Sequence, residues 1–431
     1  MSISVVILAA GQGSRMKSNT PKVLHKISGK EMLFHAIDAG KELSDDVTVI
    51  LYHQASRVKE AIEKEYNNIK FHIQDVKNFA GTGGALRGVI TKYNRTLILN
   101  GDMPLITQNS LTALTKKDAD INMSIIELKN PMGYGRVVIE NGAVCEIVEE
   151  KDCSISQKKI KSVNAGVYMI KSELLNRYIP KIDNNNAQKE YYLTDIIKMA
   201  VEEGKVVAPI VVSENEFKGV NSKLDLALAE EIMQKRIREE LMRDGVIMRL
   251  PNTIYIDIKA SFEGECILEN GVTILGESNI KSSHIKANSV IEESIIENSS
   301  IGPMGRVRPL SHIKNTHIGN FVEVKKSKLN GVKAGHLSYI GDASIEEGSN
   351  IGAGVITCNY DGKAKYKTTI GKNVFVGSDC QLVAPVTIED DVIIGAGTTL
   401  TKNVKKGSLA ISRTPLKTIS NFFYNFFGKS N

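Results

Sequence analysis

From Ile370 onward a large apolar residue returns at every sixth place: Ile370, Val376, Leu382, Ile388, Ile394 and Leu400. Four places after each stands a small or β-branched residue, in Val374, Cys380, Val386, Val392, Thr398 and Val404. Neither a helix nor a flat strand repeats every six residues, whereas a coiled parallel sheet with short flat sides does. Each side sends one large and one small side chain into a narrow interior, with Gly371, Gly377 and Gly395 next to the corners. No side can bury its apolar face alone, so stability comes from stacking on neighbours.

The pattern starts raggedly after Ile254, steadies at Ile295, Ile301, Val307 and Ile313, and continues through Ile318, Val324, Ile340, Ile345 and Ile351. With three sides to a turn, Ile254 to Val404 makes roughly eight to nine coils. Two gaps stand out. One lies between Leu329 and Ile340 and holds His336; the other, Cys358 to Thr368, is too long for a corner and must leave the solenoid as a loop. Insertions on stacked repeats gather on a working face.

The N-terminal half has another texture. Ile3 to Leu8 is an apolar run suited to a strand buried on both faces. Ala9-Ala10-Gly11-Gln12-Gly13-Ser14-Arg15-Met16 follows, small enough to turn tightly and bring backbone N–H groups to phosphate oxygens. A dinucleotide-binding GxGxxG would need glycine where Met16 stands. Arg15 and Lys22 add fixed positive charge, which suits a triphosphate during phosphoryl transfer; the alternative is two solvated surface cations. Further runs at Val47–Leu51 and Thr96–Leu99, separated by helical stretches such as Arg57–Tyr66, predict α/β architecture with a largely parallel sheet. Asp102 follows the third run, where open α/β sheets bind ligands, and could hold a magnesium ion; a turn former is the plainer account of one Asp.

Between the halves, Ser222 to Arg243 reads as a long helix with Leu224, Leu228, Ile232 and Leu241 on one apolar face, ended by Gly245. The expected organisation is a Rossmann-like α/β domain over 1–221, a linking helix over 222–245, an all-β solenoid over 246–412 and a tail over 413–431.

Composition narrows the function. A net charge of +6 over 431 residues, without a long Lys/Arg run, fits anionic small molecules better than nucleic acid. Five scattered cysteines form no CxxC pair, which argues for a reducing compartment and against structural zinc. With no apolar run long enough to span a bilayer and no signal-like N-terminus, a cytoplasmic location is expected.

Leu8-Ala9-Ala10-Gly11-Gln12-Gly13-Ser14-Arg15-Met16, Pro21-Lys22, Gly81-Thr82-Gly83 and Gly101-Asp102 together resemble the sugar-nucleotide pyrophosphorylases. Joined to a six-residue ladder, they resemble the bacterial family of bifunctional uridyltransferase–acetyltransferases, over nearly the whole chain. The resemblance implies a left-handed parallel β-helix of hexapeptide repeats. It also implies a homotrimer with acetyltransferase sites between subunits, Mg²⁺ as cofactor, and UTP and acetyl-CoA as co-substrates. Glucosamine-1-phosphate would be acetylated at the solenoid, and N-acetylglucosamine-1-phosphate would then receive the uridyl group at the glycine loop.

Carried over by position, the resemblance implies that Leu8, Ala9, Ala10, Gly11, Arg15 and Lys22 hold UTP, with Gln74, Gly81 and Thr82 reading the uracil. Gly135, Glu149 and Asn164 would bind the sugar. Asp102 and Asn221 would share the magnesium, although capping the following helix also explains Asn221. In the solenoid, His336 would accept the proton of the attacking amine. Arg308 and Lys325 match phosphate ligands, and Tyr339, Asn350, Asn359 and Tyr360 match sugar-side positions. Ala353, Ser378, Ala396 and Arg413 match coenzyme A contacts.

Two other readings compete for the solenoid. His312 and His317 resemble the ligands of solenoid carbonic anhydrases, which require a third histidine. A trimerisation stalk would need neither His336 nor the Asn359-Tyr360 insertion. In the tail, Ile419, Phe422, Phe423, Phe426 and Phe427 predict an amphipathic helical face. Packing on its own or a neighbouring subunit is favoured over membrane contact, for which Lys429 is thin support.

Overall fold

The computed structural model describes residues 2–132, 134–148, 150, 153–186 and 188–429. Two compact units emerge, Met1–Lys235 and Arg236–Asn431.

In the first unit the strand Ser4–Leu8 lies inside the sheet, parallel to Asp46–Leu51 on one side and Arg95–Asn100 on the other. Across the sheet the order is Val207–Val211, Ile121–Glu127, Ser162–Lys171, Arg95–Asn100, Ser4–Leu8, Asp46–Leu51 and Lys70–Ile73. Ser162–Lys171 runs antiparallel to both neighbours, and a hairpin of Arg136–Glu140 and Ala143–Val148 attaches to it. The buried first strand has a direct cause. Val5 and Ile7 enter the apolar cluster on one face of the sheet while Val6 enters the cluster on the other, so neither face tolerates a polar side chain. From Ser4–Leu8 the chain builds outward through Asp46–Leu51 and Lys70–Ile73, then returns to the opposite flank at Arg95–Asn100. That reversal opens a crevice at the carboxyl ends of two adjacent strands, where Leu8 and Asn100 are register partners.

The helix Lys223–Arg243 forms as expected but presents a different face. Ala229, Met233 and Ile237, four apart, are buried, whereas Leu224 is 69% and Leu228 41% exposed. Gln234 and Arg238 share the buried stripe: Gln234 Nε2 donates to Ser28 Oγ at 2.9 Å, and Arg238 Nη1 to the Ile254 carbonyl at 3.0 Å. Polar side chains with specific partners displaced leucines from that stripe, which apolar periodicity alone does not reveal.

The second unit is a left-handed parallel β-helix whose three faces are sheets of ten, nine and eight short strands. All six large rungs from Ile370 to Leu400 are buried, as are the six small ones. Ile370 pairs with Ile388, Val376 with Ile394 and Leu382 with Leu400, each 18 residues on, which is three sides of six. Earlier coils are shorter: Ile285 pairs with Ile301, 16 on, and Ile301 with Ile318, 17 on. Residues such as Asn298 and Asn315, both left-handed, turn those tightened corners.

Two expectations are corrected here. Ile296, at 0% exposure, is the rung, and Ile295 is 42% exposed, because the shortened corner moves the register by one. The stretch around His336 is no gap: Ala334 is a fully buried rung within the strand Lys333–His336. An alanine gives no apolar signal in the ladder, yet it fills a narrow interior. The second interruption is a loop, with Tyr360 and Lys365 bridging across a turn between Ile356–Cys358 and Thr368–Ile370. Among the described residues of the tail only Phe422–Phe427 is helical; its four phenylalanines are more than half exposed, and Ile419 lies outside it. No helix among the described residues is long and apolar enough to cross a membrane.

Candidate active sites

A cleft of about 440 Å³ opens where the strands Ser4–Leu8 and Arg95–Asn100 end. Leu8, Ala9, Ala10, Gly11, Lys22, Gln74, Gly81, Thr82 and Asp102 all line it. Two backbone hydrogen bonds, Gly101 N–H to Leu8 O and Ala9 N–H to Ile50 O, both 2.9 Å, join the loops to the sheet. Gly13 has a left-handed backbone, and a Cβ there would sit 2.6 Å from Lys22 Cβ, so the glycine lets the loop lie against the lysine stem. Gly81 is left-handed too, and a Cβ would meet the Tyr191 carbonyl at 2.6 Å.

Lys22 Nζ contacts Asp102 Oδ2 at 2.5 Å and Asn221 Oδ1 at 3.2 Å, so residues 199 positions apart converge on one point. The Val220 N–H bonds to the Asp102 carbonyl at 2.8 Å, tying Asn221's segment to Asp102. Asn221 also donates its backbone N–H to Asp225, as does Ser222. Asp225 thus caps the helix and fixes the Asn221 backbone, while Asn221 Oδ1 faces Lys22 Nζ. A carboxylate and an amide oxygen meeting on a single cation form a hard-oxygen donor pair of the kind Mg²⁺ takes.

The other expected residues divide. Gln74 is buried, and its Nε2 donates to the carbonyls of Phe79 at 2.9 Å and Gly81 at 3.0 Å, so only Oε1 can read a base. Thr82 Oγ1 accepts from the Leu193 N–H at 3.1 Å. Asn164 bonds to the Tyr168 hydroxyl at 2.7 Å and accepts from the Gly166 N–H at 2.8 Å; burial pushes the Tyr168 phenol up. Gly135 adjoins Arg136, whose guanidinium is 2.6 Å from Glu150. Arg15 is exposed and does not line the cleft. Glu149 lies outside the described residues. Tyr52, Val76 and Glu190 line the cleft without any motif to announce them, since each stands in a loop of ordinary composition.

On the solenoid, Arg308 and Lys325 are register partners on adjacent strands, and Tyr339 begins the next strand of the same sheet. Arg308 pairs with Glu323 at 2.9 Å, and that hydrogen bond holds the guanidinium above its ordinary range. Lys325 is shifted down, first by the side chain of Lys365 set against it and then by the charge of Arg308. Three cations thus crowd one patch. Lys365 escaped the sequence reading because it belongs to the excursion and has no periodic position. Asn359 Nδ2 donates to Asp342 Oδ2 at 2.5 Å, pinning the start of the excursion, while Tyr360 is 60% exposed.

Ala353, Ser378 and Ala396 form a column down one corner, joined by bonds of 2.8 Å from Asp379 N–H to Ala353 O and from Gly397 N–H to Ser378 O. Arg413 closes the column by donating to the Ala396 carbonyl. His336 stands at its top, its carbonyl accepting from Ser338 Oγ at 2.9 Å and the Gly354 N–H at 3.4 Å. Asn350 occupies the next strand along from Lys333–His336. Among the described residues, no hydrogen bond joins the His336 ring to the Arg308–Lys325 patch. His312 bonds to Glu297 and His317 to Ser300, and no group of three metal-binding side chains gathers among the described residues.

The two halves match separate family models: a MobA-like NTP transferase domain over residues 5–140 and six repeats of the bacterial transferase hexapeptide over 367–402. Along its length the chain is 71% identical over 428 residues to the bifunctional protein GlmU of a Sulfurovum species, covering 99% of this chain and 100% of that protein. This chain belongs to the GlmU family. The GlmU proteins of a Nitratiruptor species, 61% identical, and of Helicobacter hepaticus, 55% identical, each match 100% of the chain, covering 100% and 99% of their own lengths. As a GlmU protein it is a bifunctional enzyme, with uridyl transfer in the nucleotidyltransferase unit and acetyl transfer in the hexapeptide unit. A bare stalk is thereby excluded as the role of the solenoid.

Proposed function

We propose that the cleft at the ends of Ser4–Leu8 and Arg95–Asn100 binds UTP and N-acetylglucosamine-1-phosphate, and that the solenoid corner headed by His336 binds acetyl-CoA and glucosamine-1-phosphate. The convergence of Lys22, Asp102 and Asn221 on one point carries the first assignment. Mg²⁺, when bound, would neutralise phosphate charge. Asp102 and Asn221 would hold it, and Lys22 and Arg15 would balance the remaining charge. Leu8 and Ala9 would line the nucleotide while Ala10 and Gly11 would offer backbone N–H groups; a Cβ at Gly11 would meet no protein atom within 4 Å, which leaves that space to a phosphate. Gln74, Gly81 and Thr82 would contact the base, and Gly135, Glu149 and Asn164 the sugar. Transfer then needs position and charge, with the sugar phosphate oxygen attacking the α-phosphorus as pyrophosphate leaves.

For acetyl transfer, His336 would take the amine proton as nitrogen attacks the thioester carbonyl and the thiolate of coenzyme A departs. Arg308 and Lys325 would hold the phosphate; Tyr339, Asn350, Asn359 and Tyr360 the sugar. The column Ala353, Ser378 and Ala396, ending at Arg413, would receive coenzyme A. Assembly as a homotrimer in the cytoplasm, with this site completed between subunits, belongs to the same reading. Residues 1–221, 222–245, 246–412 and 413–431 would then serve as uridyltransferase, linking helix, acetyltransferase and tail. Product analysis tests the whole reading. Supplied with glucosamine-1-phosphate, acetyl-CoA, UTP and Mg²⁺, the protein should yield UDP-N-acetylglucosamine, coenzyme A and pyrophosphate, with N-acetylglucosamine-1-phosphate accumulating when UTP is withheld.

A further inference from the structure

The nucleotide cleft carries a cation of its own. Lys22 Nζ bonds to Asp102 Oδ2 and Asn221 Oδ1, the two oxygens assigned above to a divalent metal, and the lysine side chain is only 11% exposed. An ammonium and a metal ion are therefore directed to the same point, where like charges repel strongly in a partly screened site.

The three partners differ in freedom. Asp102 is held through its backbone carbonyl by Val220, and Asn221 through its backbone N–H by Asp225 and its Nδ2 by the Gly219 carbonyl. Both residues thus stand on anchored backbone, and the Asn221 amide is oriented as well. The backbone of Lys22 is anchored in the short turn Lys22–Leu24 by buried Val23, but its ammonium ends a flexible four-carbon stem. That stem lies against the loop at Gly13, so a phosphate received by the loop arrives within the reach of the stem.

We propose that Lys22 is a resident counter-ion that closes the divalent-cation site until a nucleoside triphosphate draws its ammonium away. Metal binding thereby becomes conditional on nucleotide, and the bare enzyme does not retain the metal. This inference rests on the reading that Asp102 and Asn221 are the metal donors.

Mn²⁺, which favours the same hard oxygen donors, reports the competition directly through its electron paramagnetic resonance signal. Full-length wild type, Lys22→Met and Lys22→Gln would be titrated with Mn²⁺ in the absence of nucleotide, after melting curves establish that each variant is folded. Removing the ammonium should tighten Mn²⁺ binding roughly 5- to 150-fold, the usual span of a coupling between two bound species. Adding Asp102→Asn to Lys22→Met should abolish the gain. Equal affinity in wild type and both lysine variants overturns the gate. The metal reading has its own check: Mg²⁺ should enlarge the rise in melting temperature that UTP confers, and Asp102→Asn should remove that increment. If the increment survives Asp102→Asn, the metal reading falls and the gate with it; if it vanishes while the lysine variants bind Mn²⁺ like wild type, only the gate falls.

Discussion

Lys365, on the excursion from the solenoid, sets its positive charge beside Lys325 and holds that lysine's pKa below its ordinary value. Two lysines meet this way only against their charge, and the consequence is the lowered pKa of Lys325. A bound phosphate would turn the repulsion into shared attraction. Lys365→Met should therefore raise the KM for glucosamine-1-phosphate by about tenfold, the order expected for one charge-assisted hydrogen bond. The melting temperature of the ligand-free protein should hold or rise. Steady-state kinetics with a melting curve decides it: an unchanged KM would remove Lys365 from the site.

The same pair has a pH signature. A lysine whose pKa is lowered on folding carries fewer protons than in the unfolded chain between its folded value and the ordinary value of 10.5. Stability gained from relieving the repulsion therefore grows as pH rises through that window, and the cost is fully present below it. Inorganic phosphate should raise the melting temperature most below the window and least above it, and Lys365→Met should flatten this dependence. A phosphate effect independent of pH in the wild type would contradict it.

Arg136 is 1% exposed, its Nε has no hydrogen-bond partner among the described residues, and Glu150 supplies its opposing charge. Removing one member of such a pair strands the other. Because Glu150 is 29% exposed, Glu150→Ala should cost toward the lower end, about 3 kcal/mol, with Arg136→Met added to it costing less than the sum. Urea unfolding measures both; additive losses would mean that the pair is not coupled.

Ile388 is fully buried between Ile370 and Val404 on neighbouring coils, whereas Thr387 beside it faces outward. Ile388→Ala should destabilise the solenoid by about 2–5 kcal/mol through the cavity it leaves. Thr387→Ala should stay within about 0.5 kcal/mol. Equal effects in denaturant melts would contradict the inward ladder.

How far the sequence reached depended on the kind of signal. The ladder from Ile370 to Leu400 was plain because strict sixes allow one architecture. Its earlier coils were blurred where corners lost a residue, which put Ile295 in place of Ile296 and hid Ala334. On the helix Lys223–Arg243, hydrogen-bonded Gln234 and Arg238 replaced leucines on the buried stripe, and no apolar count could foresee that. The cleft at the ends of Ser4–Leu8 and Arg95–Asn100 was legible as separate motifs, since glycine loops and strand ends have local signatures. The meeting of Lys22 with Asn221 was not, because 199 residues of tertiary structure set it. Lys365 was invisible for the same reason: its partner belongs to another coil.

The central claim is that one chain performs two transfers at two separate sites. Acetyl transfer and UTP-dependent pyrophosphate release, assayed separately on His336→Ala and Asp102→Asn, test it most directly. His336→Ala should lower acetyl transfer by about 10²–10⁴-fold, the range for losing a general base, and leave pyrophosphate release near wild type. Asp102→Asn should do the reverse. Loss of both activities in both variants would contradict the account.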